Sequence, residues 1–280
     1  MEPIGAIVLD TETTGLPEYE PFRVVQVAII DLETAEVLLD TLVNPILPGE
    51  HKINIPASAT RIHHITAADV EDAPTWADVR KEIGKILSGA SAVWSFNADF
   101  DEGVLHSHEL AFRRAVRKQT GEDLEPMPLN RKRWHCAMES ATDPWGFDPG
   151  ARWVSLSRAA SDAGHVWTVS GHTALGDALA ARSVVLHLRQ VWQAGMACRC
   201  CGATTRCPRM FEHIYAPLCA ECFKVCAEAA EVLLKMPQRH RISNEHRIEL
   251  VEMTLGIALA DEYHKIALQV ADEAYWRRRG

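Results

Sequence analysis

The stretch Leu9-Asp10-Thr11-Glu12-Thr13-Thr14-Gly15-Leu16 constrains this chain more than any other. It follows Ile4-Gly5-Ala6-Ile7-Val8, a short apolar run that reads as a buried strand. Residues two apart on a strand share a face, so the strand end delivers Asp10 and Glu12 side by side. Adjacent carboxylates repel, and each raises the other's pKa. A cation between them relieves that repulsion, and hard ions such as Mg²⁺ take oxygen ligands, often from only one or two carboxylates. Gly15 permits a tight turn away from the strand. The bland alternative is a strand end with two solvated acids and a turn, and the rest of the chain argues against it.

The segments Arg23–Asp31 and Glu36–Val43 read as further strands joined by a short polar loop, which makes an antiparallel meander. Residues 56–70 read as a short helix and loop. Thr75 caps a helix to about Leu87, with Val79, Ile83, Ile86 and Leu87 at helical spacing. Ser91–Phe96 is a fourth strand, followed by a helix to about Lys118, and Trp134–Met138 is a fifth strand. Helices near 155–163 and 174–193 follow. Strands first and strand-helix alternation afterwards predict an α/β layer with a mixed sheet.

Two later stretches carry chemistry. Asp101 lies at the start of the helix after the fourth strand, and His172-Thr173-Ala174-Leu175-Gly176-Asp177 puts a histidine in a loop and an aspartate one turn into the last helix of this region. If both helices pack on the sheet, Asp101 and Asp177 converge on Asp10 and Glu12. Four buried acids without cations would be very costly. Two divalent ions roughly 3.5–4 Å apart would satisfy them, and such a pair serves in-line attack on phosphodiesters. A nearby His can take the proton from the attacking water. Singly, each residue has an ordinary reading: a helix N-terminal acid, a loop histidine, a solvated helix residue.

In order, D-x-E-T-T-G from Asp10, N-A-x-F-D from Asn97 and H-x-x-x-x-D from His172 resemble the motifs of the DEDDh 3′–5′ exonucleases. They are similar in particular to those of the proofreading epsilon-subunit type associated with DNA polymerase III. The resemblance covers about residues 4–192. It implies an RNase H-like fold: a mixed five-stranded sheet with flanking helices. It also implies that Asp10, Glu12, Asp101 and Asp177 hold two Mg²⁺ or Mn²⁺ ions, with His172 as general base. Thr13 and Leu16 would meet the 3′-terminal nucleotide, and His63 and Asn97 are further implied substrate contacts. Ile62-His63-His64-Ile65-Thr66 looks like the family's I-H-G-I-T segment, with His64 in place of the usual glycine. A related branch that trims RNA and oligoribonucleotides shares the metal site, but the T-T-G-L that follows Glu12 favours the proofreading type.

The expected activity is removal of nucleoside 5′-monophosphates from the 3′ end of single-stranded DNA. RNA 3′ trimming by the same site is the alternative. A non-catalytic nucleic-acid-binding scaffold is disfavoured because no acid of the set is lost. Expected partners are single-stranded 3′ ends and a polymerase or another replication or repair protein.

Beyond this region, Cys198-x-x-Cys201 and Cys219-x-x-Cys222 are spaced as in a structural four-thiolate zinc module, with Cys200, Cys207, Cys226 and His213 as substitute ligands. Reduced buried cysteines or a disulfide scaffold are the alternatives. From about Ser243 the chain reads as helix, with Ile248, Val251, Leu255, Leu259, Ile266 and Val270 in an apolar stripe that either packs internally or docks a partner. Trp276-Arg277-Arg278-Arg279 is a basic aromatic tail that could touch phosphate and stack a base, though such tails are more often solvated ends. The expected division is 1–195 exonuclease, 196–240 zinc module and 241–280 helical segment.

The 280 residues carry a net charge of -9. Residues 1–78 hold fourteen Asp or Glu against three Lys or Arg, which argues against broad nucleic-acid binding by charge alone. A site that admits only a strand end remains compatible. No apolar run approaches the roughly 20 residues that span a bilayer. The N-terminus lacks a basic leader segment, so a cytoplasmic protein without membrane association is expected.

Overall fold

A computed structural model describes residues 4–15, 22–52, 54–130, 133–145, 151–206, 208–211, 214–235, 243–255 and 261–277. Its residues divide into two compact units, 1–142 with 152–188, and 143–151 with 189–280.

The first unit contains β1 (Ile4–Thr13), β2 (Val24–Asp31), β3 (Val37–Leu42), α1 (Ala57–His63), α2 (Ala67–Val70), α3 (Trp76–Gly89), β4 (Ala90–Ser95), α4 (Ala98–Thr120), β5 (Trp134–Cys136), α5 (Ala137–Thr142), α6 (Leu156–Asp162) and most of α7 (Ala174–Ala194). The sheet order is β3-β2-β1-β4-β5. The β1, β2 and β3 strands form the antiparallel meander, while β4 and β5 run parallel to β1, so the sheet is mixed and five-stranded as expected. Consecutive buried residues, Ile7-Val8-Leu9 in β1 and Val27-Ala28-Ile29-Ile30 in β2, show that both faces of the central strands are covered. One face packs on Trp76, Val79, Ile83 and Leu87 of α3 and on Val104, Leu105 and Phe112 of α4. The Asp78 carboxylate accepts both the N–H and the hydroxyl of Thr75 at the start of α3, which fixes where that helix begins.

One expected strand is shorter than its sequence suggests. β5 stops at Cys136, which pairs with Ser95, the last residue of β4. With no further partner in the ladder, Ala137 and Met138 enter α5, and the Met138 N–H turns back to the Phe96 carbonyl at 2.8 Å.

The second unit contains β6 (Met196–Ala197), β7 (Thr204–Thr205), β8 (Arg209–Phe211), β9 (Ile214–Leu218), α8 (Ala220–Lys235), α9 (Asn244–Leu255) and α10 (Asp261–Arg277). Two short antiparallel hairpins precede the helices. α8 begins inside the cysteine-rich stretch, where only a zinc module was expected. The single helix expected from Ser243 is two helices, and Leu259 of its stripe lies outside the described residues. Val251, Ile266 and Val270 pack against residues of α8, including Ala229, Ala230 and Leu233, so this part of the stripe is used internally. The segments 196–240 and 241–280, expected as separate, fall in one unit. Among the described residues no helix is long and apolar enough to cross a membrane.

Candidate active site

Asp10 and Glu12 sit on β1, opposite Ala28 and Gln26 of β2, and Asp177 lies in the first turn of α7. A carboxylate oxygen of each of the three lies within 4.8 Å of the others. What brings α7 here is a contact the sequence reading missed. The Gln26 side-chain carbonyl accepts the Ala174 N–H at 3.1 Å, so the residue paired with Glu12 across the sheet also caps α7. A glutamine inside the otherwise apolar run Val24-Val25-Gln26-Val27 was the signal available for it. Further along the same helix, Arg182 donates to the Leu32 and Glu33 carbonyls at 2.7 Å each.

Asp101 is buried in the first turn of α4 and accepts the Thr11 hydroxyl at 2.7 Å. It lies outside the tight group of three, yet its charge acts on both Asp10 and Glu12. Thr11, between the two acids, was a second residue not anticipated. Burial raises the pKa of all four acids. Asp10 is pushed well up by burial and then by Asp101, Asp177 and Glu12. Glu12 rises to about 8 through burial and then Asp177 and Asp101. Burial lifts Asp101 to about 7 against hydrogen bonds from Thr11 and Ser95 that pull it down. Asp177 is raised by burial, partly offset by a hydrogen bond from the His172 N–H at 3.1 Å. Among the described residues no Lys or Arg side chain pairs with any of them. The set is all hard oxygen, crowded and short of positive charge, and those properties fit divalent cations of the Mg²⁺ class.

His172 is exposed and has φ of 60°, a left-handed conformation that non-glycine residues adopt rarely and mostly where the surroundings enforce it. The enforcement is local. Thr173 donates to the Ser170 carbonyl at 2.8 Å and accepts the Gly176 N–H at 3.1 Å. A Cβ on Gly176, in the first turn of α7, would lie 2.1 Å from the Ser170 oxygen, so the close approach of this loop to the helix admits only glycine there.

The remaining expected contacts are distributed as follows. Thr13 ends β1, and its hydroxyl donates to the Gly15 carbonyl at 2.6 Å. His63 is buried. Its Nδ1 accepts the Ile65 N–H, so Nε2 carries the proton and donates to the Thr13 carbonyl at 3.0 Å, and burial lowers its pKa. His63 thus braces the end of the strand that carries Asp10 and Glu12. His64, where the resembled segment has glycine, has φ of 61°, which explains why glycine is the easier residue there. Asn97 is exposed and precedes α4. Leu16 lies outside the described residues.

In the second unit Cys198, Cys201, Cys219 and Cys222 bring their sulfurs within 4.8 Å of one another. Cys198 and Cys201 sit on the β6–β7 turn, where the Gly202 N–H returns to the Cys198 carbonyl at 2.8 Å. Cys219 follows β9 and Cys222 lies in the first turn of α8. Burial opposes the Cys198 thiolate, but N–H donors from Cys201, Cys219 and Cys200 outweigh it and bring its pKa to about 6. Burial pushes Cys222 up, and the Tyr263 hydroxyl lies 2.8 Å from its sulfur. Burial also raises Cys200 and Cys226, which lie outside the group of four. Cys207 and His213 lie outside the described residues.

Residues 7–184 match the RNase T family model, described as an exonuclease. The chain is 34% identical over 175 residues to an uncharacterized exonuclease of Escherichia phage 186, covering 61% of this chain and 81% of that one. It is 29% identical over 192 residues to a DNA polymerase III subunit epsilon-like protein of Rhodobacter capsulatus, covering 67% of this chain and only 24% of the relative. In fold it is similar to a full-length 3′-exonuclease crystal structure, at 16% identity and a TM-score of 0.50 over 66% of this chain and 60% of that one.

Proposed function

The chain belongs to the exonuclease family, and from that premise we propose that it removes nucleoside 5′-monophosphates from the 3′ end of single-stranded DNA in a reaction that depends on divalent metal. The observation that carries this reading is the group of Asp10, Glu12 and Asp177, crowded within 4.8 Å and joined electrostatically to Asp101. These four residues would hold two Mg²⁺ or Mn²⁺ ions. The ions would supply charge neutralisation at the scissile phosphodiester and a nucleophilic water at neutral pH.

The chain's own groups do the rest. His172 would take the proton of the attacking water. Its N–H bond to Asp177 keeps its backbone beside the carboxylates while its ring stays open to solvent. Thr13, Leu16 and Asn97 would border the terminal nucleotide. His63 would act through Thr13, holding the strand end at the register the acids require. Cys198, Cys201, Cys219 and Cys222 would bind one structural Zn²⁺, because four thiolates leave no open position for water. The epsilon-like relative's name motivates a polymerase, or another replication or repair protein, as partner.

The test is degradation of matched DNA and RNA oligonucleotides with product identification. Preferential release of deoxynucleoside 5′-monophosphates from DNA is the expected result. Faster release from RNA would replace the DNA reading with 3′ trimming, and products cut from the interior would remove both.

A further inference from the structure

The loop that carries His172 also displays an aromatic ring that nothing in the hydrolytic scheme uses. Trp167 stands five residues before His172 and is 42% exposed. One edge of its ring lies against Gly171, where an added Cβ would sit 3.3 Å from the six-membered ring. The His165 ring meets it edge to face with centroids 4.8 Å apart, and His165 is itself tied to Ser183 of α7 through Nδ1 at 2.8 Å. The indole therefore touches a glycine and a braced imidazole while much of it faces water. Its chain neighbours Val166 and Thr168 are exposed too, so the ring is not the edge of a hydrophobic core.

Charge sharpens the question of how a nucleic acid strand is retained here. The chain carries -9 overall, and its first 78 residues hold fourteen acids against three bases. Phosphate attraction, the usual source of sequence-independent affinity, is weak around the residues that form the acid cluster. Stacking on an aromatic face needs no net charge and accepts every base.

We propose that Trp167 is a stacking platform for a nucleobase of the substrate strand, on the 5′ side of the scissile bond and within the last few nucleotides of the 3′ end. This rests on the exonuclease reading, in which the scissile phosphodiester lies at the carboxylates beside His172. Gly171 joins the platform to that histidine, so the base received is one near the cut and not one far upstream. Trp167 would then act on strand retention and leave the chemistry to the carboxylates and His172.

The experiment compares the wild type, Trp167→Ala and Trp167→Phe on two substrates: a single-stranded oligonucleotide, and the p-nitrophenyl ester of thymidine 5′-monophosphate, which has no neighbouring nucleotide. Trp167→Ala should raise KM for the oligonucleotide by roughly ten-fold or more, the range that base stacking supports, with kcat little changed. Hydrolysis of the ester should be unaffected, and Trp167→Phe should restore most of the loss. A single abasic position walked through the last four nucleotides should weaken the wild type at one step and leave Trp167→Ala indifferent there. An unchanged KM in Trp167→Ala would overturn the proposal, as would equal losses on both substrates or the same abasic penalty in both proteins. Binding of a fluorescent oligonucleotide to Asp101→Ala, with and without Trp167→Ala, separates this inference from its premise. A wild type that cuts neither substrate while binding still depends on Trp167 would reject the exonuclease reading alone.

Discussion

In the first unit the acids sit at the rim of a large core, where Ile7, Leu9, Val24, Val27 and Ile29 are fully buried from the two strands that carry or face them. In the second unit Cys198 and Cys222 are buried with only Leu218, Cys226 and Ile266 beside them, and the helices form a separate small cluster around Ala229, Ala230, Leu233 and Val251. Both units gather like donor atoms within 4.8 Å, yet with opposite consequences for the fold. Crowding the carboxylates costs stability that the sheet supplies, so the first unit should stand without metal and be inert. Crowding the thiols leaves the cysteine-rich part of the second unit with little else to hold it, so that part should need its metal to fold.

The largest effect expected is loss of that metal. Zinc binding by small cysteine modules is worth about 10–16 kcal/mol of coupled folding free energy. Cys219→Ser should release zinc, measured by metal analysis, and expose residues 197–240 to protease. Cleavage of a short oligonucleotide by the first unit should survive. A stable, zinc-free wild type would erase the contrast.

Next come the acids. Asp10→Ala and Asp101→Ala should each reduce turnover to background while circular dichroism stays native, because each removes a ligand and also relieves repulsion. Near-normal turnover in either would dismiss the metal assignment. His172→Ala should slow cleavage by roughly 10²–10⁴-fold, the size of general-base catalysis, with partial recovery at high pH. An unchanged rate at neutral pH would move the base elsewhere. Gly176→Ala should have a smaller effect on melting than on rate. The clash with the Ser170 carbonyl falls on the loop that places His172 and Asp177, whereas the sheet is untouched.

The smallest effect is a pH signature of the acid cluster. Glu12 titrates near 8 in the fold and near its ordinary 4.5 when unfolded. The folded state therefore holds the proton more tightly. The stability this gives is fully present below about pH 4.5 and is lost as pH rises to about 8. Glu12→Gln should thus raise the metal-free melting temperature over wild type by more at pH 8 than at pH 5, and saturating Mg²⁺ should shrink the difference. A difference independent of pH would mean Glu12 is not in the raised state its surroundings impose. His108, buried against Trp76 and depressed to about 3 by burial, works the other way, weakening the fold as pH falls below about 6.5. Comparing the variant with wild type at each pH cancels that contribution.

The sheet was legible because its strands are long, apolar and punctuated, and because the three motifs fix their order around it. The acids were legible from chemistry: Asp10 and Glu12 share a strand face, and Asp177 follows His172 by a helical turn and a loop. What was hidden depends on tertiary contacts between residues that look ordinary alone. Gln26 caps α7 from 148 positions away, and Thr11 holds Asp101 from 90. Neither has a local pattern that names its partner. The second unit read less well for a different reason. The cysteine spacing pointed to the cysteine cluster but masked α8, whose start serves as part of it, and the stripe after Ser243, open to internal packing or to a partner, gave no sign that α8 was the helix it would meet.

The most direct measurement of the central claim is the cleavage pattern of a 5′-labelled single-stranded DNA oligonucleotide, run with Mg²⁺, with chelator, and with the Asp10→Ala protein. The expected result is a ladder shortening one nucleotide at a time from the 3′ end with Mg²⁺ alone, and intact substrate in the other two lanes with the first unit still folded in both. Release of the labelled 5′ nucleotide as the first product, or an equal ladder in chelator, would contradict it.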